Sequence, residues 1–249
     1  MRKREVMAMV LRLIELFAGI GAQASALERL GIPFTSIVSE IDPKAYAAYC
    51  AIHGDTPNLG DITKIEHLPA CDLLTFSAPC QSISQAGAKE GMAEGSGTRS
   101  SLLWEVERLL KDMKERDCLP PVLLMENVEA ILFKTNKPHF DSFISRLDEL
   151  GYTSSYQVLN AKDFGVPQNR RRCFMVSMLN GRKFRFPEGW ELPIRLKDVL
   201  ENNVDESYFL SPERIAKFQR HRERQIGDGR NFGWNPHDIE RESYQHGNL

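Results

Sequence analysis

The chain has 249 residues, 42% of them apolar and 27% charged, a balance that excludes disorder along its whole length and leaves room for one sizeable α/β core plus an appendage. No run approaches eighteen uncharged apolar residues, and Arg12 and Glu15 break the apolar stretch behind the basic start Met1-Arg2-Lys3-Arg4, so neither a membrane span nor a secretory leader is expected. The net charge of −2 hides nine Lys/Arg against three Asp/Glu in residues 162–197, set against 16 and 21 in residues 1–161; an acidic body with one basic segment suits a local phosphate contact.

In chain order, Val10–Leu16 reads as a buried strand, followed by a glycine turn and a short helix through Ala26–Leu30. Phe34–Ser39 is a second strand. Asp42-Pro43 opens a helix, with Asp as cap and Pro at the first helical position. Cys71–Ser77 is a third strand, and Ser101–Glu115 has the apolar spacing of an amphipathic helix. Val122–Met125 is a fourth strand. Phe140, Phe143, Ile144, Leu147 and Leu150 mark another helix, stopped at Gly151. Tyr152–Leu159 and Cys173–Met178 are two further strands. From about Gly181 the pattern weakens, and residues 211–249 are polar, with Gly227, Gly229, Gly233 and Gly247. Strands alternating with helices predict an α/β fold, a doubly wound and mostly parallel sheet covered on both faces. Ligands of such sheets bind beyond the carboxyl ends of the strands, so the loops after Leu16, Ser39, Ser77 and Met125 matter most.

Phe17-Ala18-Gly19-Ile20-Gly21 follows the first strand; its glycines permit a tight turn and close backbone approach to a ligand, but a plain turn fits equally well. Glu40 ends the second strand about 20 residues on, where a carboxylate can accept from ribose hydroxyls or simply be solvated. Gly60-Asp61 could bring a carboxylate near an adenine amino group or form a simple turn. Pro79-Cys80-Gln81 stands at the carboxyl end of the third strand, a position for a nucleophile rather than for packing. Cys71 and Cys173 lie in apolar strands and read as core, and Cys50 as the buried face of a helix; Cys118 has no evident role. Five cysteines at wide spacing, without a Cys-x-x-Cys pair, predict a reduced cytoplasmic setting and no metal site. Glu126-Asn127-Val128 ends the fourth strand, either as an acid on the same rim as Cys80 or as a strand-end cap. In Gln168-Asn169-Arg170-Arg171-Arg172, alternation sends Arg170 and Arg172 to one side and Arg171 to the other, where a solvated edge is the better reading. Residues 85–99 hold four glycines and read as a long functional loop.

Taken in order, Phe17-Ala18-Gly19-Ile20-Gly21, Glu40, Gly60-Asp61-Ile62, Pro79-Cys80-Gln81-Ser82-Ile83-Ser84, Glu126-Asn127-Val128 and Gln168-x-Arg170-x-Arg172 resemble the DNA (cytosine-5)-methyltransferase family over roughly residues 11–180. The resemblance implies a Rossmann-like fold that binds S-adenosylmethionine, with residues 1–187 as catalytic domain and 188–249 as linker and start of an incomplete target-recognition lobe. It implies Cys80 as nucleophile on a flipped cytosine, Glu126 at N3 of the base, and Arg172 with Arg170 at the base carbonyl or an adjacent phosphate. Phe17, Gly19, Ile20, Gly21, Glu40, Ile41, Asp61, Ile62, Pro79, Ser101 and Leu102 would bind the cofactor. Ile41 stands where the family often has an aromatic residue on the adenine. Gln81, Ser84 and Gln168 would contact DNA, and the 85–99 loop would close over the base. Ala78 replaces a frequent Phe. The family's last helix motif and its Asn-containing cofactor motif do not occur, which points to a truncated product or to a split enzyme whose complementary chain supplies them. A bacterial or phage-like setting is expected. Two alternatives stand beside the enzyme: a non-catalytic regulatory relative that binds cofactor or partner, and an RNA cytosine-5 methyltransferase.

Overall fold

The computed structural model describes residues 10–79 and 102–227. Within them, strands and helices follow as β1 (Leu11–Leu16), α1 (Ala22–Arg29), β2 (Phe34–Ser39), α2 (Pro43–His53), β3 (Leu73–Phe76), α3 (Leu103–Glu115), β4 (Val122–Val128), α4 (Lys137–Glu149), β5 (Tyr152–Asn160), β6 (Arg171–Leu179) and α5 (Pro212–Gly227). The strands form one sheet in the order β2-β1-β3-β4-β6-β5. The pairs β1–β2, β1–β3 and β3–β4 are parallel, and β4–β6 is antiparallel. The expected doubly wound, mostly parallel sheet is the one observed.

The chain divides into two compact units, Met1–Val158 with Arg172–Phe186, and Leu159–Arg171 with Pro187–Leu249. In the first unit, strand alternation splits the core between the two faces of the sheet. Leu13 and Val38 pack with Ala24 and Leu27 of α1 and Tyr49 of α2. Ile14, Leu74, Phe76, Leu123 and Met125 pack with Leu103, Val106 and Leu110 of α3 and Phe140, Phe143 and Leu147 of α4. Each fully buried Leu or Phe here stabilises the fold by about 1.5–3 kcal/mol relative to exposure. The strand order reverses between β1 and β3, and the covering helices change face there as well. That reversal opens a crevice at the carboxyl ends of β1 and β3.

Local chemistry starts the elements where expected. Asp42 accepts from the Lys44 amide at 2.8 Å and Pro43 occupies the first turn of α2. Gly151, at φ 102°, turns the chain out of α4 into β5.

Two differences from the sequence reading matter most, beside small shifts at the ends of β1, β3, β6, α1 and α3. β4 runs three residues past Met125, because antiparallel pairing with β6 continues through Val128 opposite Arg172. Glu126 therefore lies inside the strand rather than after it. Residues 212–227, where the sequence shows only polar composition, form helix α5. Pro212 sits in its first turn, and the preceding Ser211 accepts the Ile215 amide at 3.0 Å. Ile215 and Phe218 are its three-residue apolar spacing, too short a signal beside seven Lys/Arg and six Asp/Glu in residues 211–249.

The second unit contains a short turn of helix, Ala161–Phe164, against which Trp190 docks. Its ring meets Phe164 edge-on at 5.2 Å, and its amide donates to the Asp163 carbonyl at 2.8 Å. No described helix is long and apolar enough to cross a membrane.

Candidate active site

β1 delivers the glycine turn to the crevice. Phe17, Gly19 and Gly21 all have positive φ, at 58°, 58° and 81°. The Phe17 amide is held by the Ser39 carbonyl at 2.8 Å, so the turn is pinned to the end of β2. Among the described residues, an atom placed at the Cβ position of Gly19 would meet nothing within 4 Å, so they leave open space outside the turn. The same atom on Gly21 would lie 2.5 Å from His53 Nε2 and 2.6 Å from Tyr49 Cε2. The two glycines thus serve different needs: one leaves room outside the turn, the other permits packing beneath it.

Glu40 directly follows β2 and joins the turn to the next loop. Its Oε2 accepts from the Gly19 amide and its Oε1 from the Asp42 amide, each at 2.8 Å. Its own amide donates to Asn58 Oδ1 at 3.0 Å, and its carbonyl accepts from Asn58 Nδ2 at 2.9 Å. Asn58 Oδ1 also receives the Gly60 amide at 2.9 Å, and Ser39 Oγ donates to the Gly60 carbonyl at 2.7 Å. Asn58 and Ser39 therefore fix Glu40 against Gly60-Asp61, a role that sequence reading missed. Asp61 Oδ1 accepts from the amide and hydroxyl of Thr63 at 3.0 and 2.8 Å. Those bonds hold its carboxyl below the ordinary aspartate range. Ile20 and Ile41 expose 57% and 71% of their surface on these loops, apolar groups left in water beside the turn and beside Glu40. Ile62 is instead buried in the core, where its carbonyl accepts from Arg108.

The second wall comes from β3, β4 and β6. Glu126 and Arg172 lie on adjacent antiparallel strands, and Arg172 Nε donates to Glu126 Oε1 at 3.0 Å. Both side chains are about one quarter exposed or less, at 22% and 24%. Asn127, buried, donates from Nδ2 to the Ala78 carbonyl at 3.2 Å and accepts the Val128 amide on Oδ1 at 2.9 Å. Ala78 is followed by Pro79 and then, in sequence, by Cys80. Cys80, Gln81, Ser84, Ser101 and the 85–99 loop lie outside the described residues; Leu102, half-buried, precedes α3. Buried Cys71 and Cys173 have their thiols pushed up to about 12 by desolvation, which makes them poor nucleophiles. Cys50 and Cys118 are half-buried.

Gln168 and Arg170 belong to the second unit, with Arg170 exposed just before β6. There Asn160 holds their segment: its Nδ2 donates to Asn169 Oδ1 at 2.7 Å, and its Oδ1 accepts the Arg170 amide at 3.0 Å. Arg171 opens β6 and is exposed.

A second feature went unread in the sequence. Glu15 in β1, 1% exposed, accepts from the Tyr49 hydroxyl at 2.6 Å and from the Ala24 amide at 3.3 Å. Burial raises its pKa above the ordinary glutamate value. Its partners are nine and 34 positions away, beyond any local pattern. Among the described residues no buried side-chain nitrogen or oxygen lacks a partner, and no cluster of His, Cys, Asp and Glu could hold a metal.

These features can be compared with known proteins. Type II methyltransferase M2.ScrFI of Lactococcus lactis subsp. cremoris is 34% identical over 264 residues, covering 83% of this chain and 72% of its own. Type II methyltransferase M.SsoII of Shigella sonnei is 37% identical, over 90% of this chain and 58% of its own. Orphan methyltransferase M.SssI of Spiroplasma monobiae reaches 50% identity over 56% of this chain, but only 36% of its own length. The chain thus spans between about a third and three quarters of these relatives. The same fold occurs in the Dnmt2 methyltransferase of S. pombe, with a TM-score of 0.65 at 23% identity over 86% of this chain and 67% of that one. The Entamoeba histolytica methyltransferase EhMeth gives 0.68 at 22% identity, over 85% and 66%. A family model described as C-5 cytosine-specific DNA methylase matches residues 11–248. With the glycine turn, Glu40, the Glu126-Asn127-Val128 strand end and the arginine segment all inside that span, the chain belongs to the C-5 cytosine-specific DNA methylase family.

Proposed function

We propose that the protein methylates C5 of cytosine in DNA, with S-adenosylmethionine as donor and Cys80 as nucleophile. The observation that carries this reading is the rim after β3 and β4. Asn127 ties the Ala78 carbonyl, two residues before Cys80, to the strand end where Arg172 orients Glu126. A carboxyl group held beside the approach to a nucleophilic loop suits a heteroaromatic base that must be polarised as it is attacked. In the proposed sequence, the Cys80 thiolate adds to C6 of the base and the electron pair moves to C5. Glu126 gives a hydrogen bond or a proton to N3, which stabilises the charge that develops on the ring. S-adenosylmethionine, when bound, supplies an electrophilic methyl group on a sulfonium. Loss of the C5 proton and expulsion of Cys80 then restore the ring. The base must leave the duplex for this chemistry. Arg170, Gln168, Gln81 and Ser84 are its proposed DNA contacts, and the 85–99 loop its cover.

The residues present fit the cofactor. The space outside Gly19 accepts a close ligand. Each Glu40 oxygen carries one amide bond and retains a lone pair for a ribose hydroxyl. Asp61 takes both Thr63 bonds on Oδ1, leaving Oδ2 without a partner among the described residues and suited to an exocyclic amine. Exposed Ile20 and Ile41 offer apolar contact to the adenine and methionine parts.

The test is transfer of a labelled methyl group from S-adenosylmethionine to duplex DNA, with RNA as competitor. Transfer to DNA that is lost in Cys80→Ser supports the reading. Transfer to RNA alone, or full activity of Cys80→Ser, overturns it. Binding of S-adenosylhomocysteine without transfer would instead favour the regulatory reading, or a requirement for a complementary chain.

A further inference from the structure

His53, the last residue of α2, lies directly beneath the glycine turn. Its side chain is 2% exposed. Nδ1 is 2.8 Å from Glu28 Oε1, and Nε2 is 3.1 Å from the Ile20 carbonyl oxygen. Both partners only accept hydrogen bonds. A neutral imidazole has one N–H and one lone pair, so it can satisfy one of them and must set its lone pair against the other. Only the doubly protonated ring donates to both. The Tyr49 ring packs on it at 4.6 Å, and Gly21 leaves no room for a Cβ above it.

We infer that His53 is a positioning residue for the cofactor loop, acting as an imidazolium that clamps the Ile20 carbonyl to α1 and α2. The inference rests on the cofactor reading of that loop. Its physical course follows from the two acceptors. When the imidazolium loses a proton, the remaining N–H stays with the Glu28 carboxylate, the stronger acceptor. Nε2 then faces the Ile20 carbonyl lone pair to lone pair, and the turn between Gly19 and Gly21 loses its lower anchor. The titratable groups around the ring are Glu28 from α1, Glu15 from β1, reached through the Tyr49 hydroxyl, Tyr49 itself from α2, and Asp55, on the same cleft wall just beyond α2. The carboxylates among them, where ionised, favour the charged ring; Arg12, which lines the same cleft from β1, is paired with Asp72. Cofactor affinity is therefore expected to be higher at pH 6 than at pH 8.5, beyond the change that the cofactor's own α-amino group contributes as it begins to lose its proton in the upper part of that range.

The experiment is calorimetric binding of S-adenosylhomocysteine to the whole protein between pH 6 and pH 8.5, for the wild type, His53→Phe and His53→Gln. The neutral variants keep a side chain under the turn without its charge. The expected result is at least about a fivefold loss of wild-type affinity across that range. In both variants only the cofactor's own weaker dependence remains, and the KM for S-adenosylmethionine rises more than kcat falls. Nitrogen-15 shifts of the His53 ring at pH 6 provide a second readout that needs no cofactor, and two protonated-type signals are expected. A flat wild-type profile, or a neutral tautomer in the 15N spectrum, overturns the inference even if the variants fold poorly. Failure of the wild type to bind S-adenosylhomocysteine at any pH, with an imidazolium spectrum, overturns the cofactor reading instead.

Discussion

Gly21→Ala isolates the packing beneath the glycine turn. Gly21 has φ 81°, so an added Cβ meets left-handed backbone strain of roughly 1–2 kcal/mol. It also meets His53 Nε2 at 2.5 Å and Tyr49 Cε2 at 2.6 Å. Neither ring can move freely: His53 is held by Glu28 and Ile20, and Tyr49 by the buried Glu15 carboxylate. Overpacking at such a site costs about 1–3 kcal/mol, for a total of about 2–5 kcal/mol. Gly31→Ala is the control, since Gly31 has φ 66° but, among the described residues, nothing within 4 Å of its Cβ position. It should pay only the backbone strain. Urea unfolding followed by circular dichroism measures both. If Gly21→Ala is no more destabilising than Gly31→Ala, the packed network beneath the turn does not exist as described.

Three further outcomes are expected. Glu15→Gln should flatten the dependence of stability on pH. Burial raises the pKa of Glu15 in the folded state, so its contribution is fully present below the unfolded glutamate pKa of about 4.3 and is lost as pH rises through the higher folded value; denaturant melts at pH 4 to 8 show whether the wild type loses this increment and the variant does not. Brief alkylation of the native protein at pH 8 should spare Cys71 and Cys173, whose thiols lie near pKa 12, and mass spectrometry finding either labelled as fast as Cys80 would contradict their burial. Glu126→Gln should lower kcat by about 10²–10⁴ while leaving S-adenosylhomocysteine affinity within a factor of two, and an equal loss in both would move Glu126 from the base to the cofactor.

The middle of the sheet was legible because β3, β4 and β6 are built on apolar runs that the sheet buries, whereas the edge strands β2 and β5 are only partly buried. Phe34–Ser39 was read with the bounds it has in the structure, and the capped start of α2 was marked by Asp42-Pro43. The apolar run placed the end of β4 three residues early, since apolar character stops at Met125 while the hydrogen-bond ladder to β6 continues through Val128. Helix α5 was missed because charge covers most of its surface. Within the candidate site, the residues that present groups to the crevice were visible as motifs. The residues that hold them were not. Asn58 supports Glu40 from 18 positions away, and His53 reaches Ile20 from 33 positions away. Such partners are set by how β1, β2 and α2 come together, which no spacing rule encodes.

The proposed chemistry turns on one bond between the protein and the base. DNA containing 5-fluorocytosine cannot lose its C5 substituent as a cation, so a thiolate that has added at C6 cannot be expelled after methyl transfer. The protein incubated with such DNA and S-adenosylmethionine should form a complex that survives denaturing electrophoresis, with the mass of the adduct on the peptide carrying Cys80. Methyl transfer to ordinary DNA with no trapped complex, or an adduct on any other cysteine, would contradict the account.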